Sequence, residues 1–294
     1  RLRIDSRTGT WAVGNTLSYY DTDGTTLLAS GTIESIDGNY VNLTGRRQGF
    51  QTITDRTAKI IYANGTAKLS TTQKKWGTAS LYVTGGANYA SIASQPDFGF
   101  GTDDFTIELW AYRAGSGWST LVDMRTTSSS PDVAPYLGTN GSNVLYYGVN
   151  GSVVWTGTTP LPLNTWVHIA MVRSSGTTKF YLAGAQEGSS YTDTNNYGTL
   201  KPVRIGSDGT TGFNGYIDDV RISKGNARYS GSTFTVPTAA LTGDLDTVLL
   251  LHFNGANNST TLIDDGVTLQ DLRTSAGGTG LVVNFADYSD FGAE

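Results

Sequence analysis

Short segments in which apolar and polar residues alternate recur along this chain, and they predict β-strands. In the segment 105–112, FTIELWAY, Phe105, Ile107 and Leu109 fall on one face, and polar or bulky residues fall on the other. Because successive side chains of a strand point to opposite sides, we expect these three residues to face a core. The segment 165–174, TWVHIAMVRS, is apolar on both faces, as in a strand that is covered on each side.

Turn signals divide the chain into three parts. Residues 1–62 hold strand candidates separated by Asp-Gly pairs at 23–24 and 37–38, a hairpin signal because glycine accepts the positive φ of a tight turn. We predict a small β-meander or barrel module there. Residues 63–240 hold the clearest strands at short spacing, which predicts a two-sheet antiparallel sandwich or jelly roll. Residues 241–294 form an acidic C-terminal segment.

The composition agrees with an all-β protein. Of the 294 residues, 37 are glycine and only 15% are charged, which is typical of a chain with many turns. There is no cysteine, so disulfides and cysteine-ligated metals are excluded. The longest apolar run, TVLLLHF at 247–253, is too short for a membrane span of roughly 20 residues, and no such span is predicted.

Charge is distributed unevenly. The net charge is −5, and residues 241–294 account for it because they carry one basic and eight acidic residues. No segment clusters Lys and Arg in the way that phosphate binding requires. Nucleic acid is therefore not an expected partner.

Four ordered motifs carry a family resemblance across residues 68–237. They read KLSTTQKKWGTASLYVTGGANYASI, FGTDDFTIELWAY, LPLNTWVHIAMVRSSGTTKFYLAGA and GFNGYIDDVRISKGNARY. In order and spacing they resemble the laminin-G-like branch of the concanavalin A-like lectin/glucanase superfamily. The DDVRISKGNARY and TFTVPT segments are most similar to domains of tailed-bacteriophage virion structural proteins. The resemblance implies a jelly roll that binds glycans or proteins rather than one that catalyses.

The function implied by this resemblance is that of a non-enzymatic component of the virion surface, a tail fibre or a capsid decoration. We expect a homo-oligomer, a trimer if the protein is a fibre, with other virion proteins and a cell-surface glycan as partners. Two alternatives stay open. One is a purely structural assembly subunit without a ligand, and the other is a glycan hydrolase.

The run TVLLLHFNGANNSTTLIDDG resembles the segment that usually opens such a domain, yet here it follows the domain. Either its strand, 248–253, completes the sandwich as an edge strand in a permuted arrangement, or it begins a repeat. A free apolar strand of this kind needs a partner, which is one reason to expect an oligomer.

Asp218 and Asp219 are the first candidates for catalysis. In a regular strand they point to opposite faces and cannot address one substrate atom. The Glu-x-Asp-x-x-Glu pattern of superfamily glucanases is absent, and the four glutamates are far apart in sequence. The resemblance instead implies that one aspartate accepts backbone or loop hydrogen bonds while the other faces solvent. No catalytic residue is predicted.

No cofactor is predicted. The alternative is a bound calcium ion, because lectin-like sandwiches bind calcium through aspartates and carbonyl oxygens. The candidate ligands are Asp103, Asp104, Asp123, Asp218 and Asp219. Related domains commonly place aspartates where this chain has Thr84 and Asn88, which argues against such a site. His168 and His252 lie in apolar segments and are interpreted as structural histidines.

Aromatic residues in the Gly/Ser-rich segment 114–159 are the remaining candidates for binding. Aromatic rings stack on sugar rings when polar neighbours supply hydrogen bonds. The predicted glycan-binding residues are Trp118, Tyr136, Tyr146, Tyr147 and Trp155, with Asp132, Asn140 and Asn143 as polar neighbours. The alternative is that the tyrosines of VLYYGV simply alternate between core and surface.

Overall fold

A computed structural model describes residues 59–126, 132–244 and 246–266, together with four strands nearer the amino terminus. The chain divides into two compact units, one formed by Arg1–Thr57 with Thr268–Glu294 and the other by Ala58–Val267. The second unit therefore extends beyond the predicted boundaries of 63 and 240. Among the described residues, no helix is long and apolar enough to cross a membrane.

The described strands of the first unit form one antiparallel sheet. They are β1 (Leu2–Arg3), β2 (Thr16–Tyr20), β3 (Leu27–Asp37) and β4 (Tyr40–Thr44), in the order β1, β4, β3, β2. Strands β3 and β4 form the hairpin predicted at 37–38. The turn predicted at 23–24 lies outside the described residues.

The described part of the second unit is a sandwich of two antiparallel sheets, as predicted. In order, the seven-stranded sheet contains β13 (Ser152–Pro160), β12 (Val144–Val149), β11 (Tyr136–Thr139), β10 (Ser119–Asp123), β18 (Lys201–Ile205), β8 (Tyr89–Gln95) and β5 (Tyr62–Asn64). The nine-stranded sheet contains β16 (Ala185–Gln186), β15 (Thr177–Leu182), β14 (Trp166–Ser174), β9 (Phe105–Arg113), β19 (Asn214–Lys224), β7 (Ser80–Thr84) and β6 (Lys68–Ser70), with β17 (Tyr191–Thr192) on β15 and β20 (Thr247–Leu251) on β19. A short 3-10 helix, Pro96–Phe98, follows β8.

The core lies between the two sheets, and β9 shows why. Phe105, Ile107 and Leu109 are at most 1% exposed and belong to the main cluster of buried apolar residues, which confirms the predicted core face. The opposite face of β9 is buried as well. There the segment after β19 packs over the sheet, with Tyr229 and Phe234 among the residues that contact it. The nine-stranded sheet is therefore partly covered on both sides.

Strand β20 belongs to this sandwich. It pairs antiparallel with β19, with Leu249 opposite Ile222 and Leu251 opposite Val220, and all of its residues are buried. The apolar strand thus finds its partner within the chain. It gives no reason to expect an oligomer.

The two adjacent aspartates do not lie in a regular strand. The pairing of β19 with β9 shifts between Asp218 and Arg221, and Asp219 has a φ of +52°, so the backbone bulges at this point. Both carboxylates are fully buried. The expectation that one of them faces solvent is therefore wrong, because it assumed regular strand geometry.

Each aspartate holds a different segment against the sheet. Asp218 Oδ2 accepts hydrogen bonds from the backbone N–H groups of Lys75 at 2.7 Å and Trp76 at 3.1 Å. Asp219 Oδ2 accepts one from the N–H of Leu241 at 2.7 Å, and its Oδ1 lies 2.7 Å from His252 Nδ1. The pair is therefore a structural clamp on three segments.

This clamp predicts that stability falls as the pH rises. Burial raises the pKa of Asp218 to about 7, far above its value in an unfolded chain, so the folded state favours the protonated acid. The hydrogen bond to Asp219 raises the pKa of His252, and the stability that its protonation contributes is also lost as the pH rises through that pKa. From pH 6 to pH 8 we expect a loss on the order of 1 kcal/mol from Asp218 alone.

Urea unfolding at pH 6, 7 and 8 measures this dependence. Asp218→Asn keeps an oxygen for the Lys75 and Trp76 amides but cannot titrate, so its free energy of unfolding should vary less with pH. An equally steep dependence in that variant would assign the effect to other groups.

Candidate functional site

Three of the predicted aromatic residues meet on the outer face of the seven-stranded sheet. The ring centroids of Trp118 and Tyr146 are 5.4 Å apart, and those of Tyr136 and Tyr146 are 6.1 Å apart. Trp118 is 60% exposed, whereas Tyr136 and Tyr146 are 5% and 7% exposed. Trp118 therefore presents its ring to solvent from a base of two buried tyrosines.

Two glycines make room for this base. Gly138 lies opposite Tyr146 and Gly148 lies opposite Tyr136 in the pairing of β11 with β12. A Cβ atom at either glycine would overlap the facing tyrosine ring. The rings can therefore lie against the neighbouring strand, which is the close approach that glycine permits.

A buried arginine anchors the loop that carries Trp118. The Arg113 guanidinium donates hydrogen bonds to Gly117 O at 2.5 Å, Ser119 Oγ at 3.0 Å and Thr139 Oγ1 at 2.6 Å. No carboxylate of the described residues forms an ion pair with it, and burial lowers the pKa of Arg113. The residues on either side of Trp118 are thus tied to β11, which limits the motion of the exposed ring.

Asn140 and Asn143 shape the turn beside Trp118. Asn140 Oδ1 accepts hydrogen bonds from the N–H groups of Ser142 and Val144, and Asn143 has a φ of +63°. Asn143 Oδ1 accepts a hydrogen bond from the N–H of Gly117 at 3.0 Å. Both side-chain oxygens are therefore engaged in local structure rather than free for a ligand.

Charged residues next to Tyr136 neutralise one another. Asp123 is fully buried and pairs with Arg125 at 2.8 Å and Arg204 at 3.2 Å. The Arg125 guanidinium lies 3.9 Å from the centroid of the Tyr136 ring. Asp208 also pairs with Arg125, at 3.5 Å, so two carboxylates balance the two guanidinium groups on this side of the site.

Asp132 also has a basic partner. It pairs with Lys201 and accepts a hydrogen bond from the N–H of Thr126 at 2.9 Å. Burial acts to raise the pKa of Asp132, but these hydrogen bonds outweigh it and lower the pKa. In the part of the chain that the structure describes, no three His, Cys, Asp or Glu residues are grouped so that they could hold a metal ion.

Tyr147 and Trp155 belong to the core rather than to a surface site. Tyr147 is fully buried, and its hydroxyl lies 2.6 Å from that of Tyr197. Trp155 is 6% exposed, stacks on Phe180 at a centroid distance of 3.9 Å and donates to Ser189 O. Because their ring faces are occupied by packing, neither ring is open to a sugar. Trp155→Ala should therefore destabilise the fold.

The remaining acid and base candidates form a buried ionic network. Glu108 and His168 are fully buried, and Glu108 Oε2 lies 3.1 Å from His168 Nε2. Glu108 Oε1 pairs with Arg221 at 2.7 Å, and Tyr229 donates to Oε2 at 2.7 Å. Since this cluster lies beneath the segment that covers the nine-stranded sheet, it offers no open face to a substrate.

One family model matches part of the sandwich. Residues 84–228 match the family model described as the concanavalin A-like lectin/glucanases superfamily, in its laminin-G-like form. This part of the chain resembles that family and is called the laminin-G-like domain. No curated protein matches the chain.

Several solved structures are similar to part of this chain. Domain 4 of AbnA, an extracellular arabinanase from Geobacillus stearothermophilus, is 17% identical, with 59% of this chain and 82% of that chain covered and a TM-score of 0.42. A putative carbohydrate binding protein from Bacteroides ovatus is 14% identical, with 84% and 63% covered and a TM-score of 0.42. The carbohydrate binding module CBM66 from Bacillus subtilis is 17% identical, with 54% and 95% covered and a TM-score of 0.34.

Sequence reasoning missed Arg113, Gly138 and Gly148. Arg113 ends an ordinary strand segment, and the glycines are two among 37. Their roles depend on which strands become neighbours, and no local pattern signals that.

Proposed function

We propose that the laminin-G-like domain is a non-enzymatic glycan-binding module in which Trp118 is the stacking ring. The observation that carries this proposal is the 60% exposure of Trp118 above the buried Tyr146. An aromatic ring held by a loop, with a polar surround, is a common way to bind the apolar face of a sugar. The family match supports it, because residues 84–228 match the model of a superfamily named for lectins and glucanases.

The charges near the site favour an uncharged glycan. Asp123 pairs with Arg125 and Arg204, Asp208 also pairs with Arg125, and Asp132 pairs with Lys201, so three carboxylates balance three cations. No free charge from these pairs is left to attract an ionic ligand. Hydrolysis is not part of the proposal, because the carboxylates of Glu108, Asp218 and Asp219 are buried away from this face.

We further propose that the protein acts at the surface of a tailed-bacteriophage particle, as a homo-oligomer that binds a cell-surface glycan. The support is the resemblance of its motifs to virion structural proteins. The second candidate is an assembly subunit without a ligand. Strand β13 favours it, because this edge strand leaves Val153 and Val154 accessible, and exposed edge strands can pair with another chain. Light scattering tests for the oligomer.

Trp118→Ala is expected to weaken binding to the glycans that the wild type selects on a glycan array, by about 1–3 kcal/mol. The loss follows from removing the exposed ring. Folding should be unchanged, since the side chain makes little contact with the core. Binding constants from titration calorimetry on a selected glycan give the magnitude.

Tyr62→Ala is the matched control, because Tyr62 is a 56% exposed aromatic residue on β5 of the same sheet. It should bind as the wild type does. An array without any signal would favour the assembly role, and equal losses in both variants would remove Trp118 from the site. Release of reducing sugar by the wild type would contradict the non-enzymatic proposal.

A further inference from the structure

Four aromatic residues stand in one row across the outer face of the nine-stranded sheet. In the strand pairing, Tyr82 lies opposite Tyr216, Tyr216 opposite Tyr112, and Tyr112 opposite Trp166. The ring centroids along this aromatic row are 4.8, 5.7 and 5.6 Å apart. The row therefore crosses four adjacent strands, a distance of about 15 Å.

The row faces outward. The residues next to it along the strands, Leu81, Ile217, Ala111 and Val167, all belong to the core between the sheets. Because side chains alternate along a strand, the aromatic row points away from that core. All four rings are half-buried, so each keeps part of its surface accessible.

The row begins where the covering of this face ends. One step along the strands, Trp110 is 5% exposed and lies beneath the 71–76 loop, with Trp76 in edge contact at 6.3 Å. Further along, the segment after β19 covers Glu108 and His168. The aromatic row thus lies on an uncovered part of the sheet face, beside the part that loops cover.

The polar atoms of the row have unused hydrogen-bonding capacity. Among the described residues, the hydroxyls of Tyr82 and Tyr112 form no hydrogen bond within the protein. Flat rings with unpaired donors suit a ligand that has apolar faces and many oxygen acceptors, as a sugar chain does.

Two lysines border the row and give it a positive charge. Lys68 lies opposite Tyr82 in the strand pairing, at one end of the row. Lys75 lies along the side of the row, with its Nζ 4.0 Å from the centroid of the Trp110 ring. Within the described part of the chain neither lysine forms an ion pair, in contrast to Arg125 beside Tyr136. The charge complementarity therefore favours an acidic ligand.

The accessible area argues against a second protein chain as the occupant. Four half-buried aromatic side chains expose on the order of 300 Å² in all, since an aromatic residue has 150–250 Å² to bury. A stable protein interface needs about 800 Å² from each partner. A narrow, extended chain that lies along the row requires much less.

We propose that the aromatic row is a second binding surface, which takes an acidic polysaccharide on the sheet opposite Trp118. Several sugar rings lie along Tyr82, Tyr216, Tyr112 and Trp166, and an acidic group lies near Lys68. The surface stands independently of the role proposed for Trp118, because it shares no residue with that site.

Affinity electrophoresis of the full chain through gels containing alginate, a polyuronate, tests the surface, with a gel containing neutral dextran in parallel. The wild type should be retarded by alginate and not by dextran, and added salt should reduce the retardation. Tyr216→Ala should weaken the apparent affinity by about tenfold or more. Trp118→Ala should leave it unchanged.

Lys68→Glu keeps the rings and reverses one charge, so it tests the proposal even if Tyr216→Ala does not fold. It should abolish retardation by alginate while its melting temperature stays close to that of the wild type. Equal retardation of this variant, equal retardation by dextran, or no retardation of the wild type would overturn the proposal. So would light scattering that shows a dimer which Tyr216→Ala dissociates, since a second copy would then occupy the row.

Discussion

Leu109→Asp is expected to abolish the cooperative unfolding transition of the laminin-G-like domain. Leu109 is 1% exposed at the centre of β9, opposite Ile169 of β14. A carboxylate there would be buried without a partner, and the cost of several kcal/mol is comparable to the 5–15 kcal/mol by which domains are stable. Thermal unfolding followed by circular dichroism measures the loss.

Val154→Asp is the matched control, because Val154 is a 37% exposed valine on the edge strand β13. It introduces the same carboxylate in a strand, and its melting transition should be close to that of the wild type. A normal melting temperature for Leu109→Asp would show that this position tolerates water.

Glu108→Ala is expected to lower the free energy of unfolding by about 3–5 kcal/mol, the cost of removing one partner of a buried ion pair. Arg221 loses two hydrogen bonds to Oε1, at 2.9 and 2.7 Å, and Tyr229 loses its acceptor. His168 is left buried without its carboxylate neighbour. Urea unfolding at constant pH gives the magnitude.

The double variant Glu108→Leu with Arg221→Met removes both charges, so it distinguishes the contribution of the ion pair from the cost of leaving Arg221 unpaired. Apolar side chains of similar size often replace a buried ion pair at little cost, so this variant should recover much of the stability that Glu108→Ala loses. If Glu108→Ala costs less than about 1 kcal/mol, water must reach Glu108, and the ionic network contributes little to stability.

The fold was largely predictable because its signals are local. Alternation in FTIELWAY placed Phe105, Ile107 and Leu109 on the core face, and the double-sided apolar segment at 165–174 became a central strand. Asp-Gly at 37–38 marked a hairpin. Such patterns depend on side-chain direction and on backbone conformation within a few residues, and both are encoded at the positions themselves.

The candidate site was predictable only in part, because exposure to solvent is not a local signal. The sequence identified the aromatic residues of 114–159, but not which of their rings reach solvent. Trp118 does so, whereas Trp155 stacks on Phe180, because the core between the sheets extends beneath β13. Accessibility depends on packing between segments that are distant in the chain.

The register between strands decided the position of the aromatic row and the burial of Asp219. Tyr82, Tyr112, Trp166 and Tyr216 belong to four separate segments, and they form a row only because antiparallel pairing aligns them. The bulge at Asp219 likewise turned an expected surface carboxylate inward. A shift of one residue in any strand would reverse these faces, and local preferences do not specify the register between distant strands.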